Sequence, residues 1–576
     1  MKRFFSCILL SSIVLHLFGK VGKVEPCERI YVQTDKHLYL AGEPVLMKLL
    51  TTSPEQIPLT FSKLAYVELV ADSVAQLQIK VELTNGTGAG RMLLPADLPT
   101  GYYRLIAYTQ FMRNEGADVF FEKNIAVLNT FQPDYNPVEE VMETEHHLSP
   151  DNPLTYRENG GRELSLQADK AIYTARERGE LILSGLPENI HTLSVSIAGK
   201  EYVPVAESNV SLFRKNLTKK TGGNTITDLQ HGEFLPEYEG HIVTGKIVDN
   251  QTGGKEVITE KILVSGLSFL SDGIRFFPGQ NTETGDVLFF TSRISGINEI
   301  ATVVYSADDK YRIDIQSPFV SRYVQKPMPA LHIDSAYYDQ LLERSVALQL
   351  FRYFADDLSV SRTISEPYHK MKPTASYPLD EYTRFTTMRE VFTEFILGAR
   401  FRRTDGKWRL STFVKSGESY NYGSKMPLVL LDGVPISDHD AIYNYDPLLV
   451  ERINIYYGPC ILGGYMFDGI VELTTYRRLH ADLDMSRSTQ ILTYEGPQLP
   501  YRFYTPDYSE DINRQNRIYD SRHTLLWNPE LRTNGKTSIR LPFDTSDLTG
   551  EFQATIEGIT NDGKFIFATL LFNVDR

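Results

Sequence analysis

The amino-acid sequence predicts a mainly β fold, with several tandem β-sandwiches and one α+β domain inserted near the C-terminal third. Short segments in which apolar and polar residues alternate recur along the chain, and turns rich in Gly, Pro and Asn separate them. Aromatic residues, which favour strands, are abundant, with 33 Tyr and 30 Phe. Apolar residues recur at helical spacing most clearly in two segments, 335–354 and 387–396.

Residues 1–22 predict a secretory signal peptide. Lys2-Arg3 precedes an uncharged apolar run that is too short to cross a membrane as a helix of the mature protein. Cleavage is expected near Gly19 or Gly22, and no long apolar segment follows. The sequence therefore predicts an exported chain, periplasmic or associated with the outer membrane, with no transmembrane segment after signal removal.

Two cysteines remain after signal removal, Cys27 and Cys460. A lipoprotein signal has small residues just before its Cys, and Glu25-Pro26 does not fit that pattern, so the sequence does not favour a lipid anchor at Cys27. Two cysteines do not make a disulfide framework. Lipidation of Cys27 and a disulfide between Cys27 and Cys460 both stay open at this point.

Charge and length narrow the class of protein. The formal net charge of −14 argues against nucleic-acid partners and against anionic lipid surfaces. A chain of 576 residues is expected to hold about four domains. Extracytoplasmic β domains are the class that this composition favours.

The first domain is predicted over residues 28–130. Two sequences carry its pattern of strands and turns, TDKHLYLAGEPV at 34–45 and LPTGYYRLIAYT at 98–109. They resemble the start and the end of the macroglobulin-type domains of the alpha-macroglobulin family. The resemblance implies an immunoglobulin-like, macroglobulin-type β-sandwich.

An internal repeat predicts a second domain of this type over residues 162–232. Leu166–Tyr173 echoes Val32–Tyr39, and the two segments share the spacing Gln-x-Asp-Lys-x-x-Tyr. We therefore expect segments 30–128 and 164–206 to lie in domains of like topology.

A third β unit is predicted over residues 237–330, followed by a helix and linker over 335–358. The third unit resembles a carboxypeptidase regulatory-like sandwich, which carries no catalytic residues. Ser335 is placed to cap the helix. Its predicted apolar stripe consists of Tyr338, Leu341, Leu342, Val346 and Leu350.

The α+β domain is predicted over residues 384–478. Thr387 opens a capping box, and Leu428–Leu431 forms an apolar strand that ends at an Asp-Gly turn. Further strands are expected over 451–456 and 469–475. The pieces LVLLDGVPI, DPLLVERINIYYGP and GGYMFDGIVELTT resemble the plug domain of TonB-dependent outer-membrane receptors. The resemblance implies a plug-like fold, which we expect to lack a barrel of its own.

The last segment, 490–576, predicts a C-terminal β-sandwich. Leu541-Pro542 and Thr549-Gly550 echo the layout of Leu94-Pro95 and Thr100-Gly101 in the first domain. We expect this sandwich to close the chain and to share strands with the third unit.

The sequence shows no catalytic motif, and we expect no enzyme activity, cofactor or metal site. The alpha-macroglobulin thioester needs Cys-Gly-Glu-Gln, whereas Cys460 lies in Pro-Cys-Ile-Leu. Two functions stay open: a non-enzymatic envelope protein that recognises, or helps to export or assemble, an outer-membrane partner, and a ligand-binding accessory of a TonB-dependent nutrient-uptake system. An envelope hydrolase of unrecognised type is a third, weaker alternative.

Two loops of the plug-like domain are the candidate partner contacts, 432–446 and 458–464. The alternative is that both are ordinary loops. The candidate residues are Asp432, Gly433, Pro435, Asp446, Gly458, Pro459 and Gly464.

Overall fold

A computed structural model describes most of the chain between Cys27 and Arg576. The fold is mainly β, as the sequence predicts, and the predicted signal peptide lies outside the described residues. The described ranges are 27–132, 138–139, 164–201, 208–217, 219, 234–252, 264–270, 274–282, 285–292, 294–305, 310–334, 337–354, 371–478, 487–499, 501, 503–515 and 517–576.

The first sandwich consists of two sheets with the strand orders β1-β3-β6 and β2-β8-β7-β4-β5. Their inner faces enclose an apolar core, and β2 pairs with β8 in parallel. Two 3₁₀ turns, Phe111–Glu115 and Ala117–Val119, link β7 to β8. The strands are β1 (Arg29–Thr34), β2 (Leu38–Leu40), β3 (Pro44–Thr52), β4 (Leu64–Ala71), β5 (Val74–Glu82), β6 (Thr87–Leu93), β7 (Gly101–Tyr108) and β8 (Phe121–Leu128).

The next part of the chain supplies half of a second sandwich and then a helix, α1, which packs on β1. Phe213 of α1 is buried in the first core, with its ring stacked on Phe565 at 4.2 Å. The elements are β9 (Val138–Glu139), β10 (Ser165–Ala168), β11 (Ile172–Thr174), β12 (Arg178–Ser184), β13 (Ile190–Gly199) and α1 (Asn209–Leu217).

The third sandwich follows, with one sheet in the order β17-β18-β14-β20 and a second built on β16-β15-β19. A short strand and a long helix, α2, come after it. The elements are β14 (Ile242–Asp249), β15 (Val264–Phe269), β16 (Phe276–Pro278), β17 (Gln280–Asn281), β18 (Asp286–Phe290), β19 (Ile297–Tyr305), β20 (Tyr311–Ile315), β21 (Ile333–Asp334) and α2 (Tyr338–Phe354).

Helix α2 buries only part of the predicted apolar stripe: Leu341 packs on the core cluster around Leu38 and Leu331, and the side chains of Tyr338 and Leu350 lie outside the described ones. Leu342 and Val346 are about half exposed, at 51% and 50%. Arg344, Ala347 and Leu348 are buried instead. The buried face of the helix is turned toward Arg344, because its guanidinium forms a buried ion pair with the Glu43 carboxylate of the first sandwich. A pattern of apolar residues does not predict such a pair.

The α+β domain has an eight-stranded sheet whose main path is β23-β24-β28-β29-β26-β27. The predicted strand Leu428–Leu431 and the predicted N-cap Thr387, which accepts from the Glu390 amide, are both confirmed. Two 3₁₀ turns, Leu379–Glu381 and Pro447–Leu449, complete it. The elements are β22 (Ala375–Pro378), α3 (Met388–Glu394), β23 (Ala399–Thr404), β24 (Lys407–Ser416), β25 (Ser419–Tyr422), β26 (Leu428–Leu431), β27 (Val434–Pro435), α4 (His439–Tyr443), β28 (Val450–Leu462) and β29 (Tyr465–Thr475).

The chain then returns to the sandwiches that it left open. Strand β30 pairs with β19 and completes the third sandwich. The last four strands join the sheets of the second sandwich, in the orders β10-β12-β32 and β11-β34-β33-β13-β31. The elements are β30 (Thr489–Glu495), α5 (Asp511–Arg514), β31 (Thr524–Asn528), β32 (Ser538–Asp544), β33 (Gly550–Thr560) and β34 (Phe565–Asp575).

These pairings differ from the sequence-based division of the chain. The sequence assigned segments 162–232 and 490–576 to two domains, with the latter sharing strands with the third unit. In the structure, β31–β34 are partners of β12, β11 and β13, and only β30 joins the third sandwich. The domains are therefore nested: the α+β domain interrupts the third sandwich, and the third sandwich interrupts the second. Strand pairing between segments so distant in sequence leaves no local signal.

The predicted internal repeat is confirmed. The first sandwich has the sheets β1-β3-β6 and β2-β8-β7-β4-β5, and the second has β10-β12-β32 and β11-β34-β33-β13-β31. Each strand of one has a counterpart in the other, including the parallel pairs β2–β8 and β11–β34. The nested insertion falls between the fourth and fifth strands of the second copy.

Two remaining sequence-based questions concern the membrane and the cysteines. Among the helices that the structure describes, none combines the length and the apolar character that crossing a bilayer requires. Cys27 and Cys460 are not joined by a disulfide.

Candidate recognition surface

The Asp432-Gly433 turn is built into the protein. Both residues have positive φ, 49° and 85°, and connect β26 to β27. The Asp432 carboxylate accepts from the Thr475 amide at 2.7 Å and from its hydroxyl at 2.5 Å, which anchors the end of β29. The Gly433 carbonyl accepts from the Ser268 hydroxyl of the third sandwich at 2.6 Å, and Pro435 is buried. This turn therefore holds the α+β domain against the third sandwich.

Asp446 has a local capping role. Its carboxylate accepts from the Leu448 amide at 2.8 Å and caps the 3₁₀ turn that Pro447 begins. Asp446 itself is exposed, as are Leu448 and Leu449, at 47% and 37%. The turn is accessible, but the carboxylate already has its own partner.

Gly458 and Pro459 lie at an irregularity in the long hairpin of β28 and β29. The register of the two strands shifts between Tyr457 and Cys460. A Cβ at Gly458 would lie 2.3 Å from the Asp468 carbonyl oxygen, so the close approach of the strands requires glycine there. Gly458 is buried, whereas Pro459 is exposed.

Beyond this shift the hairpin continues as an arm of residues 459–466, which we call the hairpin arm. Gly463 and Gly464 turn the chain with φ of 49° and 83°, and Gly464 is exposed. Ile461 lies opposite Met466, and these side chains are 68% and 43% exposed. The tip of the arm thus presents an apolar cross-strand pair.

The other side of the arm packs on the third sandwich. Cys460 lies opposite Phe467, and both are buried in an apolar cluster with Phe276 and Val303. The ring of Phe467 meets that of Phe276 edge-on, with centroids 5.6 Å apart. Burial raises the pKa of the Cys460 thiol above its usual value, so this side chain behaves as a packed apolar group. One face of the arm packs on the third sandwich, and the opposite face is exposed.

A cavity of about 350 Å³ lies between the outer part of the arm and the third sandwich. The arm contributes Ile461 and Leu462 to its wall, and the third sandwich contributes aromatic side chains. The volume falls in the range of small-ligand pockets. The aromatic members of the wall are Tyr238, Phe276, Phe277 and Phe290.

A buried polar network stands behind this cavity. Glu237 accepts from the Tyr66 hydroxyl at 2.9 Å and lies 2.8 Å from Nδ1 of His241. Nε2 of His241 contacts the Tyr494 hydroxyl, which accepts from Lys80 Nζ at 3.1 Å. Burial lowers the pKa of His241, while Glu237 opposes that shift. The network joins the first sandwich, the segment before β14, and β30, and its members already satisfy one another.

His439 is the buried imidazole of the α+β domain. Its Nδ1 accepts from the Leu410 amide at 2.9 Å, which connects α4 to β24. Burial, aided by the nearby positive charge of Arg409, lowers its pKa to about 3, so the ring is neutral at physiological pH. The geometry gives His439 a packing role.

Of the seven candidate residues, the structure brings Pro459 and Gly464 together on the exposed arm. Asp446 is exposed on a separate turn, and Asp432, Gly433, Pro435 and Gly458 support the fold. The predicted contact loop 458–464 includes Ile461, but neither Ile461 nor its cross-strand partner Met466 was among the seven named candidates. The sequence does indicate exposed apolar side chains here. Apolar residues occupy consecutive positions on both sides of Gly463-Gly464, and consecutive side chains of a strand point to opposite faces, so they cannot all lie on one buried face.

Comparisons with known proteins give limited information. No family model matches the sequence, and no curated protein matches it. Among solved structures, Salmonella alpha-2-macroglobulin reacted with methylamine is 11% identical, covering 96% of this chain and 40% of that chain, with a TM-score of 0.22. Native Escherichia coli alpha-2-macroglobulin is 12% identical, covering 97% and 40%, with a TM-score of 0.22.

A third match is the Escherichia coli adhesin FdeC, at 10% identity and a TM-score of 0.12, covering 53% of this chain and 64% of that chain. The chain thus spans about 40% of the length of the macroglobulins that it matches. TM-scores this low do not support an argument from these structures, so the fold is defined by the strand pairings described above.

Proposed function

We propose that this protein is a non-enzymatic component of the cell envelope that recognises, or helps to export or assemble, an outer-membrane partner. The contact is made by the hairpin arm of the α+β domain. The observation that carries the proposal is the exposed cross-strand pair Ile461 and Met466, 68% and 43% exposed, on an arm whose other face is anchored. Apolar side chains grouped on a fixed support are suited to protein contact.

The nested chain supports the same role. The α+β domain is the innermost insertion, and the strand that follows it, β30, pairs with β19 of the third sandwich. The Gly433 carbonyl and the apolar cluster around Phe276 and Phe467 add further attachments. The arm is therefore presented in one orientation, which reduces the entropy lost on binding. The sandwiches act as a support for this domain.

Site-specific cross-linking tests the proposal. A photoreactive phenylalanine derivative replaces Ile461 in cells, and the control replaces Ile297, which is 77% exposed on the third sandwich. We expect a discrete adduct with an envelope protein from position 461 and none from position 297. In the double variant Ile461→Asp/Met466→Asp, a crosslinker placed at Tyr465 should lose that adduct. The same adduct from positions 461 and 297 would contradict the role of the arm.

The cavity beside the arm favours a second candidate, a ligand-binding accessory of a TonB-dependent uptake system. Its volume of about 350 Å³ and its aromatic wall fit a small ligand. Substitution of Phe277 by Ala and, separately, Met466→Asp on the arm outside the cavity wall distinguish the two functions. Loss of a small ligand in the first variant, with the adduct retained, would favour this second candidate.

A further inference from the structure

The outer face of β23 and β24 concentrates positive charge. The segment 399–425 holds seven Lys or Arg and two acidic residues, in a chain of net charge −14. The strand register places Arg402 opposite Arg409 and Thr404 opposite Lys407. Opposed residues share a face, as do residues two apart, so Arg400 joins them. We call Arg400, Arg402, Lys407 and Arg409 the basic face.

This arrangement opposes folding stability. Like charges directly opposite each other destabilise a sheet. Arg400, Arg402 and Lys407 are exposed, and Nη1 of Arg409 contacts the Ser437 carbonyl at 3.5 Å and Met426 Sδ at 3.7 Å. The ion pairs of this domain, within the described residues, involve two arginines outside the basic face, Arg384 and Arg478. The basic face therefore lacks carboxylate partners in the described part of the chain.

An aromatic patch adjoins the basic face. Phe413 follows Arg409 and Ser411 on the same side of β24, and Tyr422 lies opposite Phe413. The guanidinium of Arg400 stacks 3.7 Å from the ring centroid of Tyr422. Tyr420 is 46% exposed beside Phe413, with the ring centroids 6.2 Å apart.

An exposed leucine completes the patch. The Phe413 amide donates to the Gly398 carbonyl at 2.8 Å, which places the preceding residue, Leu397, beside this end of β24. Leu397 is 70% exposed. Positive charge and tyrosine thus occupy one side of the sheet, and an exposed leucine lies next to the end of β24.

We propose that this side of the α+β domain docks on a bilayer whose headgroups carry phosphate. Guanidinium forks match phosphate oxygens in pairs, and three of the four groups of the basic face are arginines. Tyrosine and leucine side chains gain free energy at the depth just below the headgroups. An acidic protein segment would satisfy the charge, but it offers no apolar layer for Leu397 and Tyr420.

This proposal revises the sequence-based expectation that the net charge of −14 disfavours anionic lipid surfaces. At physiological ionic strength, charges farther than about 8 Å from a surface are largely screened. The local charge of the docking face therefore decides the interaction. This inference is independent of the hairpin arm, and failure of either proposal leaves the other intact.

Vesicle sedimentation tests the docking. The full chain is mixed with vesicles of phosphatidylcholine alone or of phosphatidylcholine with phosphatidylglycerol. We expect binding to the mixed vesicles, weakened by added salt. Each Lys or Arg near an anionic surface contributes roughly a 5-fold change in partitioning, so Arg402→Gln/Arg409→Gln should weaken binding roughly 30-fold.

The matched control is Arg532→Gln/Lys536→Gln, which removes two exposed positive charges from the turn between β31 and β32. It should bind the mixed vesicles like the natural sequence. Leu397→Ser/Tyr420→Ser keeps the charge and should also weaken binding. Apart from the half-buried Arg409, these variants change exposed side chains, and circular dichroism confirms that each is folded.

Three results would overturn the proposal. The first is no sedimentation of the natural sequence with mixed vesicles. The second is an equal loss in both glutamine variants, since only total charge would then matter. The third is binding to free glycerol phosphate or to polyglutamate as tight as to vesicles, which would indicate a phosphate pocket or an acidic protein partner.

Discussion

The first and second sandwiches share one topology and one motif, but they surround that motif differently. In the first, the Tyr39 hydroxyl donates to Asp35 Oδ1 at 2.8 Å, and in the second the Tyr173 hydroxyl donates to Asp169 Oδ1 at 2.6 Å. Each Asp also accepts from a backbone amide of the third strand of its sandwich. The local geometry therefore follows from the shared sequence.

The surroundings of the motif's glutamate show the difference. Glu43 is buried, with Lys36 Nζ at 3.0 Å and Arg344 Nη2 at 2.6 Å. Its counterpart Glu177 pairs with Lys170 at the surface, where half of the Lys170 side chain is exposed. Helix α2 and the second sandwich cover the first motif, whereas the second motif faces solvent. In the second sandwich the motif therefore makes a local surface contact, whereas in the first it lies at the centre of an interface.

Breaking the buried ion pair should have the largest effect. Arg344→Met leaves Glu43 and Glu201 buried without their strongest positive neighbour, and we expect a loss of about 3–5 kcal/mol in the free energy of unfolding. Lys170→Met breaks the equivalent surface pair and should change stability little. Urea unfolding followed by tryptophan fluorescence measures both. Equal losses would show that burial of the first motif does not matter.

Titration of the same interface should give the next largest effect. Burial raises the pKa of Glu201 to about 7, against the opposing charges of Arg344 and Lys36. Because the folded-state pKa lies above the unfolded one, the stabilisation from this carboxyl is complete below about pH 4.5 and lost as pH rises through 7. Glu201→Gln removes this dependence, so its stability relative to the natural sequence should rise over that range, by at most about 3 kcal/mol.

The measurement is urea unfolding of both proteins at several pH values between 4.5 and 7.5. Lys200, the residue before Glu201, is paired at the surface with Glu551, and Glu551→Gln serves as the control. That control should show no comparable rise. A stability difference that stays constant with pH would contradict the raised pKa of Glu201.

The tyrosines should give the smallest effect and the closest comparison. Tyr39→Phe leaves the buried Asp35 short of one donor, and we expect a loss of about 2 kcal/mol. Tyr173→Phe removes the same hydrogen bond where water can replace it, with a loss of about 1 kcal/mol. Thermal unfolding of the two variants measures the difference. A larger loss of stability for Tyr173→Phe than for Tyr39→Phe would contradict the expectation that the buried hydrogen bond contributes more.

The sequence predicted features that local patterns determine. The repeat, the strand Leu428–Leu431 and the cap at Thr387 were all recognised, because turns, alternation and caps depend on neighbouring residues. The buried face of α2 was predicted only in part, because Arg344 pairs with Glu43, far away in sequence, while Leu342 and Val346 are exposed. The closure of the second sandwich by β31–β34 was missed for the same reason.

The candidate site was predicted in part. Glycine and proline positions located the turns, and Pro459 and Gly464 do lie on the exposed arm. The sequence did not distinguish these two exposed residues from the buried Gly458, a position that requires glycine because the strands approach closely there. The basic face was not predicted, because the net charge is a sum over the whole chain and does not show which charged residues share a surface.

The nested insertion also sets an order of assembly. Strand β13 is complete at Gly199, yet its two neighbours, β31 and β33, begin only at Thr524 and Gly550. Until they are made, both edges of β13 lack their final partners, and unpaired edges invite association with other chains. The first sandwich can close as soon as β8 is made, whereas the second must wait for β34. Slow passage through this stage would expose the chain to aggregation, so the edges of β13 need protection until β31 and β33 have been made.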